Sequence, residues 1–384
     1  MKKWYLRMLV TLVAIFGILF ITSYAYIQQP KFGALPEGKR LERIVQSPHY
    51  VDGKFQNLVP AEVLTGKKQS SFSIILTDYI LNPAERLTPA APIPAIKTDL
   101  SSLNINQDLV VWLGHSSFYI QLSGQRVLID PVFSASAAPI DIANRAFSGT
   151  STYSANDMPD IDYLLISHDH WDHLDYPTVK ALQPKIRNVI AGLGMGAHFE
   201  RWGFPDDKIH ELDWYDAVDV EPGVSINAIP ARHYSGRFLS KDQALWAGYA
   251  LVGKTHKLLF SGDTGYGPHF AEIGKRFNGF DLVALDMGQY DARWANIHMF
   301  PEEAAQAAVD LKARTLVPEH VGKFSIARHA WDEPFNRIVK ASQGKPYRLL
   351  SPKIGEVIYL DQPDQAFSRW WEGLDSCSAG ECAD

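Results

Sequence analysis

The apolar run Tyr163-Leu164-Leu165-Ile166 ends in SHDHWDH, Ser167 to His173. Three histidines and two aspartates crowd the six positions His168 to His173. Solvated loops are commonly rich in Asp and Asn, but not in histidine. His168 and His170 stand two apart, so on an extended segment both point to one side and can grip one cation. Asp172 and His173 follow as the chain turns towards helix, and they can serve a second cation. Four ligands do not fill two metal sites. The fold must therefore bring other loops to this strand end.

The rest of the chain offers such loops. From near Asp108 it becomes a series of short apolar runs with turn punctuation. DLVVWLG, SFYIQL and RVLID read as strands, with Gly124 in a hairpin turn. DYLLIS is a buried strand, and TVKALQ, with Pro177 near its start, is a helix. VSINAIPA, LWAGYALV, HKLLFSG, FDLVALDMG, TLVPEH and GEVIYL read as strands, and AEIGKRF, PEEAAQAAVDLKA and the HAWDEPFNRIVKAS segment as helices. This pattern predicts two packed sheets with helices outside, a layered α/β architecture. Three later strands end in candidate ligands, His233, Asp263 and His320. Each is weak evidence singly, but strand ends are where a rigid sheet delivers functional loops.

The set is imidazole and carboxylate without thiolate, which suits zinc and tolerates manganese or iron. The two cysteines, Cys377 and Cys382, lie near the C-terminus, which excludes a cysteine-rich structural zinc site. Either a tail disulfide or two free thiols fits them. A pair of zinc ions about 3.5–4 Å apart ionises water near neutral pH and forms a hydrolytic centre. The net charge of −6 argues against a non-specific nucleic-acid binder.

HDHWDH matches the HxHxDH signature of the metallo-β-lactamase superfamily. Longer stretches, VWLGHSSFYIQLSGQRVLIDPVFS, LLISHDHWDHLD, FSGDTGYGPHFAEIGKRFNGFDLVALDMGQYDARW and HMFPEEA, resemble its N-acylphosphatidylethanolamine-hydrolysing phospholipase D branch over about residues 109–335. The resemblance implies a four-layer αββα sandwich holding two zinc ions. It assigns His168, His170 and His233 to one ion and Asp172, His173 and His320 to the other, with Asp263 bridging. It makes Asp172 and His298 the catalytic candidates: Asp172 orients the attacking hydroxide, and His298 donates to the substrate phosphate. Tyr290 and Gln289 are placed at the substrate with His298, and His115 and Asp130 behind the ligands, near one another. Val321 and Gln289 depart from the branch pattern, which puts the pocket wall and acyl surface in question. The resemblance also implies a homodimer.

Lys2, Lys3 and Arg7 precede an uncharged stretch from Met8 to Ile27. About 20 apolar residues suffice to cross a bilayer, and basic residues before the span place its start in the cytoplasm and the catalytic domain outside it, on the periplasmic side. Two readings stay open: a single-pass anchor, or a signal cleaved after Ala25. The expected organisation is an anchor or signal over 1–28, a Pro-rich arm packing on the core over 29–107, a hydrolase domain over 108–361 and a tail over 362–384. The function expected is a zinc phosphodiesterase acting on a phospholipid or similar amphiphile. A zinc lactonase or esterase for a soluble metabolite, and a non-catalytic metal-containing lipid-binding envelope protein, are the alternatives.

Overall fold

Residues 2–65, 84–237 and 239–375 are described by the computed structural model. Cys377 and Cys382, and with them the tail disulfide, lie outside the described residues. Helix α1 (Lys2–Ile27) has 26 residues, which rise about 39 Å at 1.5 Å per residue. That exceeds a hydrocarbon core of about 30 Å. The helix is long and apolar enough to cross a membrane, and none of its most apolar window is buried by the rest of the chain.

The Pro-rich arm, 29–107, carries some regular structure. GKRLERI forms α2 (Gly38–Ile44), with Ile44 buried. Arg40 on the same helix pairs with Glu200, Asp206 and Glu211 of the main domain. A small hairpin follows, β1 (Tyr50–Val51) with β2 (Lys54–Phe55). Further on, Ile93 is buried and its N–H donates to Ser148 O at 2.8 Å.

The main domain opens with β3 (Leu109–Gly114), β4 (Ser117–Leu122) and β5 (Gln125–Ile129), an antiparallel meander. Its β4–β5 turn needs two positive φ angles, 53° at Ser123 and 82° at Gly124, the geometry that matches strand twist. β6 (Ile161–Ile166), α3 (Tyr176–Leu182), β7 (Ile186–Gly192), α4 (Gly196–Arg201) and β8 (Ile209–Leu212) extend this sheet with parallel strands. The second sheet holds β9 (Ala217–Glu221), β10 (Val224–Ile229), β11 (Gly248–Val252), β12 (Lys257–Phe260), β13 (Phe280–Asp286), β14 (Ala313–Glu319) and β15 (Arg348–Leu349). Its helices are α5 (His269–Phe277), α6 (Pro301–Asp310) and α7 (Glu333–Ala341). β16 (Val357–Tyr359) returns to pair with β3. The orders are β16-β3-β4-β5-β6-β7-β8 and β15-β14-β13-β12-β11-β10-β9.

The two sheets face each other across one continuous buried cluster. Phe118 of β4 meets Phe260 of β12 with ring centroids 5.0 Å apart. Tyr249 of β11 donates its hydroxyl to Ile166 O of β6 at 2.8 Å, satisfying a buried phenol across the interface. α6 packs on β13 and β14 between α5 and α7, and α4 packs on β8. Helices thus flank the sheets, as the strand and helix pattern predicts. The sequence reading omits β7, β8 and β9. Arg187 and Asn188 interrupt the apolar run of β7, β8 has four residues, and β9 is a part-exposed edge.

Strands β5 to β8 and β12 to β15 run parallel within their sheets. Their C-terminal ends therefore gather loops at one edge of each sheet. Leu285 is fully buried in β13, an interior strand of its sheet. Leu285→Ala should cost about 2–5 kcal/mol, measured as a lower urea midpoint at unchanged slope; an unmoved midpoint would contradict this packing.

Candidate metal centre

The loop after β6 supplies His168, His170, Asp172 and His173. The loops after β10 and β12 supply His233 and Asp263, and the end of β14 supplies His320. All seven converge between the sheets, and all but part-buried His170 are buried. Candidate donor atoms of His168, His170, His233 and Asp263 lie within 4.8 Å of one another, as do those of Asp172, His173, His320 and His115. Asp263 stands between the groups. Its Oδ1 is 3.1 Å from His173 Nε2, and its Oδ2 is 3.4 Å from His320 Nε2 and 3.7 Å from both His168 Nε2 and His233 Nε2.

The imidazoles are held from behind. His173 Nδ1 donates to Asp130 at 2.8 Å, and His233 Nδ1 to Ile297 O at 3.1 Å. His320 Nδ1 donates to Asp286 at 3.2 Å, and His168 Nδ1 to Ser167 Oγ at 3.0 Å, whose own proton goes to Asp130. Each bond fixes a tautomer and turns Nε2 inward. His170 differs, because its Nδ1 faces His168 Nε2 at 2.9 Å and His233 Nε2 at 3.2 Å.

These inner atoms test whether a cation fits. His170 Nε2, His173 Nε2 and Asp263 Oδ1 are buried and make no hydrogen bond; the last two are close but misaligned for one. Buried polar atoms are rarely left so. Inward lone pairs of anchored imidazoles, interleaved with carboxylates, suit a divalent cation. The charge balance agrees. Burial and the neighbouring His173 and His170 hold His168 well below the usual imidazole range. Burial opposes charge on His320, but Asp263, Asp172 and Asp286 outweigh it and raise its pKa to about 10. Burial alone would raise Asp172, yet His173, His115 and His320 hold it well below the carboxylate range. Without a metal, protons on imidazoles balance the buried carboxylates; bound cations would take over that charge.

Backbone strain collects here. His115, Asp130 and His320 have φ of 56°, 41° and 63°, a conformation that costs an L-residue about 1–3 kcal/mol. His115 N–H donates to Val321 O at 3.2 Å, and His320 N–H to His115 O at 3.3 Å. Gly288 is needed because a Cβ there would lie 1.7 Å from His320 O.

His115 and Asp130 both stand behind candidate ligands but are not paired with one another, and Gln289 and Tyr290 differ from expectation. Asp130 holds His173 rather than His115, and His115 Nε2 instead meets Asp172 at 3.0 Å. His115 therefore touches a candidate ligand directly. Gln289 and Tyr290, expected to face substrate, are built into the wall. Gln289 is buried, donates to His320 O and Phe324 O, and accepts from Ile326 N and Ala327 N. Its amide thus ties two loops together. The Tyr290 hydroxyl donates to Glu333 at 2.8 Å and its ring stacks on His329, so its polar end turns to α7. His298 lies beside the centre, its Nδ1 2.9 Å from Asp286 and its ring 5.2 Å from that of His320.

The sequence reading missed Asp286 and Asn57. Asp286 ends β13 and orients both His298 and His320; the strand-end rule that found Asp263 applies equally to FDLVALD. Asn57 has no such signal. It accepts from His233 N at 3.0 Å and donates to His233 O at 2.8 Å.

A family model for the beta-lactamase superfamily domain matches residues 125–321, just over half of the chain. The chain belongs to the beta-lactamase superfamily. It is similar to an uncharacterised Mycobacterium tuberculosis protein, 38% identical over 330 residues, 85% of this chain and 88% of that one. It is also similar to the N-acyl-phosphatidylethanolamine-hydrolyzing phospholipase D 1 of Caenorhabditis elegans, 32% identical over 226 residues, 56% of this chain and 63% of that relative. Among solved structures, a metallo hydrolase from Ignicoccus hospitalis shares the fold, with TM-score 0.52 and 19% identity over 66% of this chain and 97% of its own. This member of the superfamily is a metal-dependent hydrolase.

Asp286→Ala should weaken metal binding about 10–100-fold, measured by chelator competition, with the circular dichroism spectrum retained. Unchanged affinity would show that His298 and His320 keep their orientation without it.

Proposed function

We propose that the chain is a dinuclear zinc phosphodiesterase of phospholipase D type, acting on N-acylphosphatidylethanolamine-type lipids. The observation that carries this reading is Asp263, one buried carboxylate within 3.7 Å of imidazoles from both ligand groups. Shared in this way, it suits two ions rather than one. His168, His170 and His233 would hold one ion, and Asp172, His173 and His320 the other. When bound, such a pair supplies ionised water near neutral pH and offsets charge on the phosphoryl oxygens.

The chain's own groups do the rest. Asp172, fixed by His115 and His320 at 3.0 Å each, accepts a hydrogen bond from the attacking water and aims it. His298 donates from Nδ1 to Asp286 and, carrying a proton on each ring nitrogen, would donate from Nε2 to a phosphoryl oxygen, where donation stabilises developing charge. Hydrolysis places the water oxygen on phosphorus and a proton on the departing alcohol, giving a phosphatidic acid and an N-acylethanolamine. The similarity to the nematode enzyme and the apolar helix α1 support a lipid substrate. Lys2, Lys3 and Arg7 before that helix support a domain on the extracytoplasmic side. A zinc lactonase or esterase is the second reading, favoured by Gln289 and Tyr290, which are turned away from any acyl-binding role.

The test is turnover of the zinc-loaded full-length protein in detergent on a substrate panel. Release of N-acylethanolamine is expected, with about two metal ions per chain. Activity confined to lactones would favour the second reading. Full metal loading without turnover on any ester would leave a lipid-binding protein. His170→Ala should abolish metal-dependent turnover. His298→Gln should lower kcat about 10²–10³-fold with metal content unchanged; undiminished kcat would remove His298 from the phosphate site.

A further inference from the structure

Helix α1 does not join the domain through a free linker. The Tyr26 hydroxyl and Lys31 Nζ both donate to Pro139 O at 2.7 Å. Arg201 donates to Gln28 O at 2.7 Å, and Trp202 Nε1 to Pro30 O at 2.8 Å. Arg237, itself buried, donates to Lys31 O at 2.8 Å, and Ala34 N–H to His198 Nδ1 at 3.1 Å. The chain is thus tied to the domain from the last turn of the helix onwards. The helix direction is thereby fixed relative to the sheets.

Around this exit the domain exposes large apolar side chains. Ile140 is 46% exposed and Ile142 82%, in the loop whose Pro139 receives Tyr26 and Lys31. Leu35 is 52% exposed and Leu239 79%, and both line one cavity with Ile27. Scattered exposed apolar residues are ordinary. These instead flank the end of a helix of lipid-spanning length, where large exposed apolar side chains mark a membrane-contact patch.

We propose that the loops carrying Ile140, Ile142, Leu35 and Leu239 form a seat that rests on the bilayer surface where α1 enters it, holding the domain in one orientation. The proposal rests on α1 being embedded in the membrane. The seat lies next to the metal loop. Trp171, inside HDHWDH, packs edge-on against Phe32 at 5.3 Å, with the Arg237 guanidinium 4.0 Å over its ring. A bilayer reaching the seat therefore lies one aromatic contact from the loop that carries four candidate ligands. The seat thereby holds the metal loop beside the bilayer surface.

The test uses the full chain with Cys377→Ser and Cys382→Ser, reconstituted in phosphatidylethanolamine–phosphatidylglycerol vesicles containing spin-labelled lipid. A fluorophore is placed singly through Ile142→Cys, Leu239→Cys, Phe16→Cys within α1, or Lys254→Cys in the β11–β12 turn at the far sheet edge. Quenching is expected at 16, 142 and 239 but not at 254. Quenching at 16 with none at 142 and 239 overturns the seat. No quenching at 16 overturns the embedding, and the seat with it. None of these readouts depends on substrate, so they stand apart from the phospholipase assignment. Ile142→Asp with Leu239→Asp should lower turnover of vesicle lipid at least tenfold and leave turnover of the same lipid in detergent unchanged; equal turnover in vesicles also overturns the seat.

Discussion

Asp263 is a carboxylate with almost no access to water, set among His168, His173, His233 and His320. A buried charge of this kind is tolerated only when opposite charge is fixed around it. The surrounding architecture supplies that fixity. Two sheets pack through Phe118, Phe260 and Tyr249, and their strand ends deliver loops from both sides. Asp130 and Asp286, at the ends of β5 and β13, then hold His173 and His320 by their outer nitrogens. Each layer is costly without the next. The strained backbone at His115, Asp130 and His320 is the local sign of that dependence.

Much of this was legible from residues alone, for a physical reason. A strand end is a geometric address, and the residue types at such addresses reveal chemistry. HDHWDH declared itself by density. His233, Asp263 and His320 declared themselves by each following an apolar run. The same logic covered Asp286, but an Asp closing a strand is also an ordinary turn residue, and nothing local separates the two cases.

Other features were not legible because they depend on pairing over long separations. Asn57 reaches His233 across 176 positions, and no periodicity anticipates that. Gln289 looked like a substrate contact because the Tyr beside it matched a motif. Its amide is in fact consumed by carbonyls and N–H groups of the 320–327 loop, whose path no short pattern encodes. Strands β7 and β8 were missed because Arg187 and Asn188 break the apolar run of β7 and because β8 has only four residues, two of them polar. The helix and hairpin within the arm were not anticipated because their order comes from Arg40 and Asn57 gripping the main domain, rather than from their own propensity.

The reciprocal backbone bonds of His115 with Val321 and His320 set limits on how the chain can change. They suture the β3–β4 turn of one sheet to the end of β14 in the other, at the rim of the ligand cluster. One inserted residue in Gly114-His115-Ser116 would unpick that suture and displace His320. The long connection between β5 and β6, by contrast, can lengthen without touching it. Diversification among relatives should therefore accumulate in that connection and spare the short turn.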